Sequence, residues 1–118
     1  MVYFFKNYWP FILLVSWIFY RWWSFRKVKL MLPELHSKGA ILLDVRSTAE
    51  FAAGSAPGSF NIPLQDLKSR VDEIPKTKDI VVCCASGTRS AIARKVLRKN
   101  GFKNVYNIGS WSNLLEVK

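Results

Sequence analysis

The sequence predicts an α/β fold with a mostly parallel sheet, preceded by one aromatic-rich helix. From about residue 30 onward, short apolar runs alternate with stretches of helical periodicity, which is typical of βαβ units. A length of 118 residues allows one compact domain and an appendage. The first 25 residues hold 12 of the 17 aromatic side chains and differ in kind from the rest. We therefore divide the chain into a hydrophobic anchor, residues 1–25, and an α/β domain, residues 26–118.

The amino-terminal segment predicts a transmembrane helix. Between Val2 and Tyr20 the only charge is Lys6, and 19 helical residues extend about 28 Å, close to a hydrocarbon core of about 30 Å. A cleaved signal peptide fits less well because the basic residues follow the apolar run, and a surface-lying helix fits less well because the polar face is small. A buried core helix is the third alternative. We expect residues 2–23, which carry aromatic residues at both ends, to contact the lipid bilayer.

Basic residues predict the orientation of this segment. One end carries Lys6, and the other carries Arg21, Arg26, Lys27 and Lys29. The positive-inside rule then places the α/β domain in the cytoplasm, as part of a single-pass membrane protein. Such a position leaves room for a membrane protein partner, although no residue identifies one.

The net charge of +10 would also suit nucleic acid. However, the sequence contains no arginine-rich arm, zinc-ligand spacing or RNA-binding aromatic signature. We therefore expect no nucleic acid partner.

Periodicity and turn residues place the elements of the α/β domain. Helices are predicted at 32–38, 47–51, 63–74 and 90–100, and strands at 40–45, 59–62, 79–84 and 105–108. Pro33 lies near the start of the first helix and Gly39 follows its end, while Ser47 and Glu50 form a capping-box pattern. The strands are almost continuously apolar, which favours burial on both faces of a parallel sheet.

Cys84 stands where a predicted strand meets a predicted helix. The unpaired N–H groups of the first helical turn and the positive end of the helix dipole both favour a thiolate there. Small residues follow in Ala85, Ser86, Gly87 and Thr88, and Gly87 lets the loop curl so that N–H groups converge on one point. The alternative from residue types alone is a buried, inert cysteine.

The adjacent Cys83 is expected to differ from Cys84. Side chains alternate along a strand, so Cys83 should point to the opposite face, where an inert packing role is expected. Neighbouring cysteines form a disulfide only with strain, so the pair indicates a reducing compartment or a reactive thiol.

A set of motifs, taken in order, resembles a single-domain rhodanese from about Val28 to Trp111. The matching segments are Leu42–Arg46 with Glu50-Phe51, Pro57-Gly58 with Asn61–Leu64, Val81–Ser90, Gly101-Phe102 and Val105–Asn107. The resemblance implies a rhodanese-like, five-stranded parallel sheet flanked by helices. It also implies that Cys84 carries sulfur as a persulfide and that Arg89 is the arginine of the active-site loop.

The resemblance further implies a sulfurtransferase of the thiosulfate:cyanide type. The thiolate of Cys84 would take a sulfane sulfur from a small anion such as thiosulfate and pass it to cyanide, a thiol or a protein acceptor, with no metal or cofactor. Residues Ala85, Ser86, Gly87, Thr88 and Arg89 would form the substrate-binding loop. Asp44, Arg46 and Ser90 are assigned a supporting framework role by the same resemblance.

Two other functions compete with sulfur transfer. Cysteine phosphatases and arsenate reductases place five residues between cysteine and arginine, whereas Cys84 and Arg89 are separated by four, which suits one sulfur atom better than a tetrahedral oxyanion. A persulfide carrier, sensor or binding module without turnover is the other alternative. Departures from the family pattern at Ser55-Ala56 and at Ser110-Trp111 leave the shape of the pocket open.

Overall fold

The computed structural model describes residues 2–116, and describes the side chains of residues 6–115. The helices are α1 Val2–Ser37, α2 Thr48–Ala53, α3 Leu64–Arg70 and α4 Thr88–Lys99; the strands are β1 Ile41–Asp44, β2 Phe60–Asn61, β3 Ile80–Cys84 and β4 Val105–Ser110. A single 3-10 turn at Val71–Glu73 follows α3, and a longer 3-10 helix at Trp111–Glu116 follows β4.

The strands form one parallel sheet in the order β2-β1-β3-β4. Asp44 of β1 pairs with Cys83 of β3, and Cys84 pairs with Ser110 of β4. The register between β3 and β4 shifts between Val82 and Cys83. Because all pairs are parallel, the carboxyl ends of β1, β3 and β4 meet at one edge of the sheet, where α/β proteins carry their chemistry.

The sheet separates two hydrophobic cores. One contains residues that include Leu43, Val82, Cys84 and Leu97, packed under α3 and α4. The other contains Cys83 together with residues of β1, β4 and α1. Neighbouring β3 residues thus face opposite sides, as alternation along a strand requires, and the prediction that Cys83 and Cys84 point apart is confirmed.

The prediction of a fifth strand is wrong for the part of the chain described, where the sheet has four strands. The chain before β1 is helical up to Ser37. Val28, Leu32 and Leu35 recur at spacings of four and three and are buried in the second core, so this segment covers the sheet as part of α1.

The predicted membrane anchor is also wrong. Within residues 2–116 no helix combines the length and the apolar character needed to cross a membrane. Although α1 has 36 residues, Lys6, Asn7 and Arg21 interrupt its apolar run, and many of its rings are tryptophan or tyrosine with polar N–H or O–H groups. This finding contradicts three linked predictions: the bilayer contact of residues 2–23, the single-pass localisation and the cytoplasmic orientation.

Helix α1 runs unbroken across residue 25 and past Pro33. The predicted helix at 32–38 is therefore the last part of α1 and ends near Gly39, which has φ +83°. Its exposed side chains include Trp9 and Trp22, whereas its carboxyl-terminal third packs on the sheet. His36 lies exposed in its last turn. The division at residue 25 stays a prediction.

Candidate active site

Cys84 ends β3, and α4 begins four residues later at Thr88. Gly87 is the residue before the helix, and its φ of +100° lies in the left-handed region that favours glycine. The chain therefore turns sharply between strand and helix, and the first N–H groups of α4 face back toward the end of β3. The Cys84 side chain is 1% exposed at this point.

The sulfur of Cys84 is held by hydrogen bonds from its own loop. The backbone N–H of Gly87 donates to Sγ at 2.9 Å, and the hydroxyl of Ser90 lies 3.5 Å from Sγ. Burial raises the pKa of the Cys84 thiol, but the Ser90 hydroxyl and the backbone N–H groups of Ser90, Gly87 and Ser86 lower it by more. The net pKa lies below the ordinary value, which increases the fraction of nucleophilic thiolate.

Asn107 of β4 holds Ser90 and the active-site loop in place through three hydrogen bonds. Its Oδ1 accepts from the Ser90 hydroxyl at 2.6 Å and from the Gly109 N–H at 3.0 Å, while its Nδ2 donates to the Gly87 carbonyl at 3.2 Å. Sequence reasoning did not single out Asn107 as a site residue. A polar amide in a strand that also contains the buried Val105 and Ile108 was the available signal, because polar groups at such a position need partners.

Arg89 points toward α2. Its Nη1 and Nη2 donate to the two carboxylate oxygens of Glu50 at 2.7 and 3.0 Å. Hydrogen bonds from Arg89, and then from the Ser47 backbone, lower the pKa of Glu50 to about 2. The same contact raises the pKa of Arg89. The sequence showed Glu50 as a helix-capping residue, and its pairing with the loop arginine across 39 positions was missed.

A cavity of about 260 Å³ opens beside Arg89 and the ends of β1 and β2. It is lined by Val45, Ser47, Pro63, Leu64, Gln65 and Arg89. Arg89 therefore borders open space on this side of the active-site loop.

Asp44 and Arg46 form a buried bidentate pair at the end of β1. Nη2 and Nε of Arg46 donate to the Asp44 carboxylate at 2.8 and 3.0 Å. Arg46 also donates to the Gly54 carbonyl at 2.7 Å and lies 4.6 Å from the ring centroid of Trp111. These contacts tie β1 to the segment after α2 and to the end of β4. The framework role predicted for the pair agrees with them and stays a prediction.

Cys83 is fully buried on the other side of the sheet. Burial, followed by the nearby Asp44 charge, raises the pKa of the Cys83 thiol well above its usual range. A protonated, enclosed thiol is a poor nucleophile, so the two cysteines differ in chemistry as well as direction.

Helix α1 contacts the back of the active-site loop. The Phe25 ring packs so closely that a Cβ on Gly87 would lie 2.6 Å from Phe25 Cζ. Arg21 donates to the Ser86 carbonyl and to the Thr88 hydroxyl, both at 3.2 Å. A cavity of about 340 Å³ lies between α1 and the loop and is lined by residues that include Trp17, Tyr20 and Ile92. Sequence reasoning assigned Arg21 to a membrane flank, and neither side chain was connected to Cys84.

Comparisons with known proteins place the chain among similar sequences and structures. The model of the rhodanese-like domain family matches residues 28–116. The chain is 39% identical over 83 residues to the Bacillus subtilis protein YqhL, a match that covers 67% of this chain and 66% of YqhL. It is 36% identical over 104 residues to human thiosulfate:glutathione sulfurtransferase, covering 72% of this chain and 90% of the human protein.

A solved structure shows the same fold. The rhodanese-like domain protein from Staphylococcus aureus superposes with a TM-score of 0.63 at 30% identity, over 80% of this chain and 94% of that one. The chain thus spans just under two thirds of YqhL and almost all of the Staphylococcus aureus protein.

Proposed function

Because the chain belongs to the rhodanese-like sulfurtransferase family, we propose that it moves a sulfane sulfur from a small anionic donor to a thiophilic acceptor through a persulfide on Cys84. The observation that carries this proposal is the Gly87 N–H held 2.9 Å from Sγ at the start of α4. A thiolate in that position is stabilised, and in the persulfide the negative charge would move to the outer sulfur, one bond farther into the same loop.

The chemistry balances without an added oxidant or reductant. The Cys84 thiolate attacks the outer sulfur of thiosulfate, a new S–S bond forms, and the old S–S bond breaks as sulfite leaves with its electron pair. An acceptor thiolate or cyanide then attacks the terminal sulfur, and Cys84 leaves as the thiolate. Ala85, Ser86, Gly87 and Thr88 would surround the transferred sulfur, with Arg89 at the side where the 260 Å³ cavity opens.

The position of Arg89 weighs against phosphatase or arsenate reductase activity. In those reactions an arginine must meet a tetrahedral oxyanion above the cysteine. Here both guanidinium ends are engaged by Glu50, and only four residues separate Cys84 from Arg89. A single sulfur needs no such bidentate clamp.

Mass spectrometry after thiosulfate treatment tests the proposal. We expect the wild-type chain to gain the mass of one sulfur, Cys84→Ser to gain none, and the matched control Cys83→Ser to behave as wild type. Addition of cyanide or glutathione should return the original mass, and repeated release of product would distinguish an enzyme from a carrier. A sulfur adduct that persists in Cys84→Ser would refute the assignment.

A further inference from the structure

Arg21 of α1 holds the active-site loop at two points, 65 and 67 positions away along the chain. Its Nη2 lies 3.2 Å from the Ser86 carbonyl oxygen and 3.2 Å from Thr88 Oγ1. These two residues flank Gly87, whose left-handed backbone makes the turn. One guanidinium therefore connects both sides of the residue that donates to Sγ.

Aromatic rings hold this guanidinium in place. Its Cζ lies 5.3 Å from the ring centroid of Trp17 and 5.5 Å from that of Phe25. The Phe25 ring in turn packs against Gly87 and Gly109, where a Cβ would lie 2.6 Å and 3.0 Å from ring atoms. Stacking of a planar cation on rings reduces the motion of its side chain. The position of Arg21 is thus set by the same helix surface that shapes the loop.

The Ser86 carbonyl and the Gly87 N–H belong to one peptide group. Arg21 donates to the oxygen of this peptide, and the N–H of the same peptide donates to Cys84 Sγ at 2.9 Å. The positive guanidinium beside the Ser86 oxygen draws electron density away from the Gly87 nitrogen. The Gly87 N–H then becomes a stronger donor, since hydrogen bonds in series polarise one another. The guanidinium also fixes the plane of the peptide, so that the N–H stays directed at the sulfur.

The contacts of Arg21 and Arg89 differ in kind. Arg89 meets the carboxylate of Glu50, which balances its charge. Arg21 meets neutral groups, namely a carbonyl, a hydroxyl and aromatic rings. Its charge therefore remains available to act on the peptide it contacts.

We propose that Arg21 is a positioning residue for the sulfur chemistry of Cys84, acting through the Ser86–Gly87 peptide. This deepens the proposed function and rests on Cys84 being the residue that carries sulfur. Arg21 lies before the region that matches the family model, residues 28–116. The assignment thus comes from the contacts of α1 in this chain.

The test is the pH profile of Cys84 alkylation by iodoacetamide in the full chain, with the modified cysteine identified by peptide mass. In Arg21→Gln the midpoint should move to higher pH, because the Gly87 N–H becomes a weaker donor to the thiolate. On the acidic side of the profile the rate should fall about threefold, the size expected for one charge-assisted contact acting indirectly. Arg21→Lys, which keeps the charge and one donor position, should recover part of the loss.

Arg26→Gln is the matched control. Arg26 lies on the same helix and its guanidinium is 5.4 Å from the Trp22 ring centroid, so the variant removes the same charge away from the loop. We expect its profile to superpose on wild type. An Arg21→Gln profile equal to wild type would overturn the inference, and so would equal shifts in Arg21→Gln and Arg26→Gln, which would indicate a general charge effect.

Failure of the proposed function would look different. If thiosulfate left no sulfur on wild-type Cys84, sulfur transfer would be refuted, whereas the alkylation comparison would still measure the effect of Arg21 on the thiolate.

Discussion

The hydroxyl of Ser90 lies between two acceptors and has one hydrogen to offer. It is 2.6 Å from Asn107 Oδ1 and 3.5 Å from Cys84 Sγ. The amide of Asn107 cannot be reversed without losing its contacts to the Gly109 N–H and the Gly87 carbonyl. The single hydroxyl hydrogen can be directed to Asn107 or to the sulfur, so the Ser90 hydroxyl lowers the pKa of Cys84 only when it turns from Asn107 to Sγ. The backbone N–H groups of Ser90, Gly87 and Ser86 lower this pKa whichever way the hydroxyl turns, and that of Gly87 donates to Sγ at 2.9 Å.

The ion pair between Glu50 and Arg89 makes stability depend on pH in the acidic range. Hydrogen bonds from Arg89, and then from Ser47, lower the pKa of Glu50 from 4.5 to about 2. A carboxyl group with a lower pKa in the folded state stabilises the fold above its unfolded pKa, and this contribution is lost as the pH falls from about 4.5 toward about 2. Urea unfolding at a series of pH values should therefore show a steeper loss of stability in wild type than in Glu50→Gln.

The matched control for this prediction is Glu34→Gln. Glu34 of α1 forms an exposed ion pair at 3.1 Å with Lys38, which follows the helix, away from the active-site loop. We expect this variant to keep the wild-type slope. Parallel curves for wild type and Glu50→Gln would contradict the prediction.

At the scale of elements, the contact of α1 with the active-site loop depends on two glycines that pack against Phe25, namely Gly87 and Gly109. Gly109 of β4 has φ +84°, and a Cβ there would lie 3.0 Å from the Phe25 ring. Gly109→Ala combines backbone strain with a steric clash, so we expect a loss of about 1–3 kcal/mol in the free energy of unfolding. Chemical denaturation gives this value.

Gly58→Ala separates the two effects. Gly58 has φ +79°, but no atom lies within 4 Å of the position of a Cβ. It should therefore show the backbone strain without the clash and lose less stability than Gly109→Ala. Phe25→Ala combined with Gly109→Ala should be less destabilised than the sum of the single variants, because the clash is gone. Additive effects would show that Phe25 and Gly109 are not coupled.

Local patterns were sufficient to predict most elements. The strand predicted at 79–84 is observed at Ile80–Cys84, and the helix predicted at 90–100 is observed at Thr88–Lys99. In both, a continuous apolar or amphipathic run lies between turn-forming residues, so neighbouring residues contain the signal. The Ser47–Glu50 capping box is also confirmed by reciprocal hydrogen bonds.

Pro33 shows where local rules fail. Local rules predict that a short helix begins next to Pro33, yet α1 continues through it. Its ring removes one backbone donor, but Leu32 and Leu35 on either side are 1% and 5% exposed. Burial of these leucines against the sheet outweighs the local preference, and such packing is visible only in the folded chain.

The placement of Cys84 was predictable because strand and helix adjoin in sequence. The contacts of Arg89 with Glu50 and of Arg21 with Ser86 were not, since they join residues 39 and 65 positions apart. Topology determines such pairs: the first lies where α2 and α4 both begin, and the second depends on the direction in which α1 crosses the loop. In the sequence, a basic residue that follows an apolar run looks the same whether it flanks a membrane or contacts a distant loop.

At the scale of the whole molecule, positive charge dominates. The formal net charge is +10, from 18 basic and 8 acidic residues. On α4, the side chains of Lys95, Arg98 and Lys99 are exposed, whereas Arg94 is partly buried and donates to the Val105 carbonyl at 2.8 Å. Burial lowers the pKa of Arg94. The field of the molecule should raise the local concentration of anions near the α4 side of the site.

Alkylation by a charged and a neutral reagent measures this field. Iodoacetate and iodoacetamide attack the same Cys84 sulfur, so the ratio of their rates isolates the attraction of the anion. The Debye length shortens from about 30 Å at 0.01 M salt to about 10 Å at 0.1 M, and we expect the ratio to fall severalfold across that range. Replacing Lys95, Arg98 and Lys99 together by glutamine should lower the ratio at low salt while leaving the iodoacetamide rate unchanged. A ratio independent of salt would show that groups within the loop, and not the overall charge, determine how an anionic donor approaches Cys84.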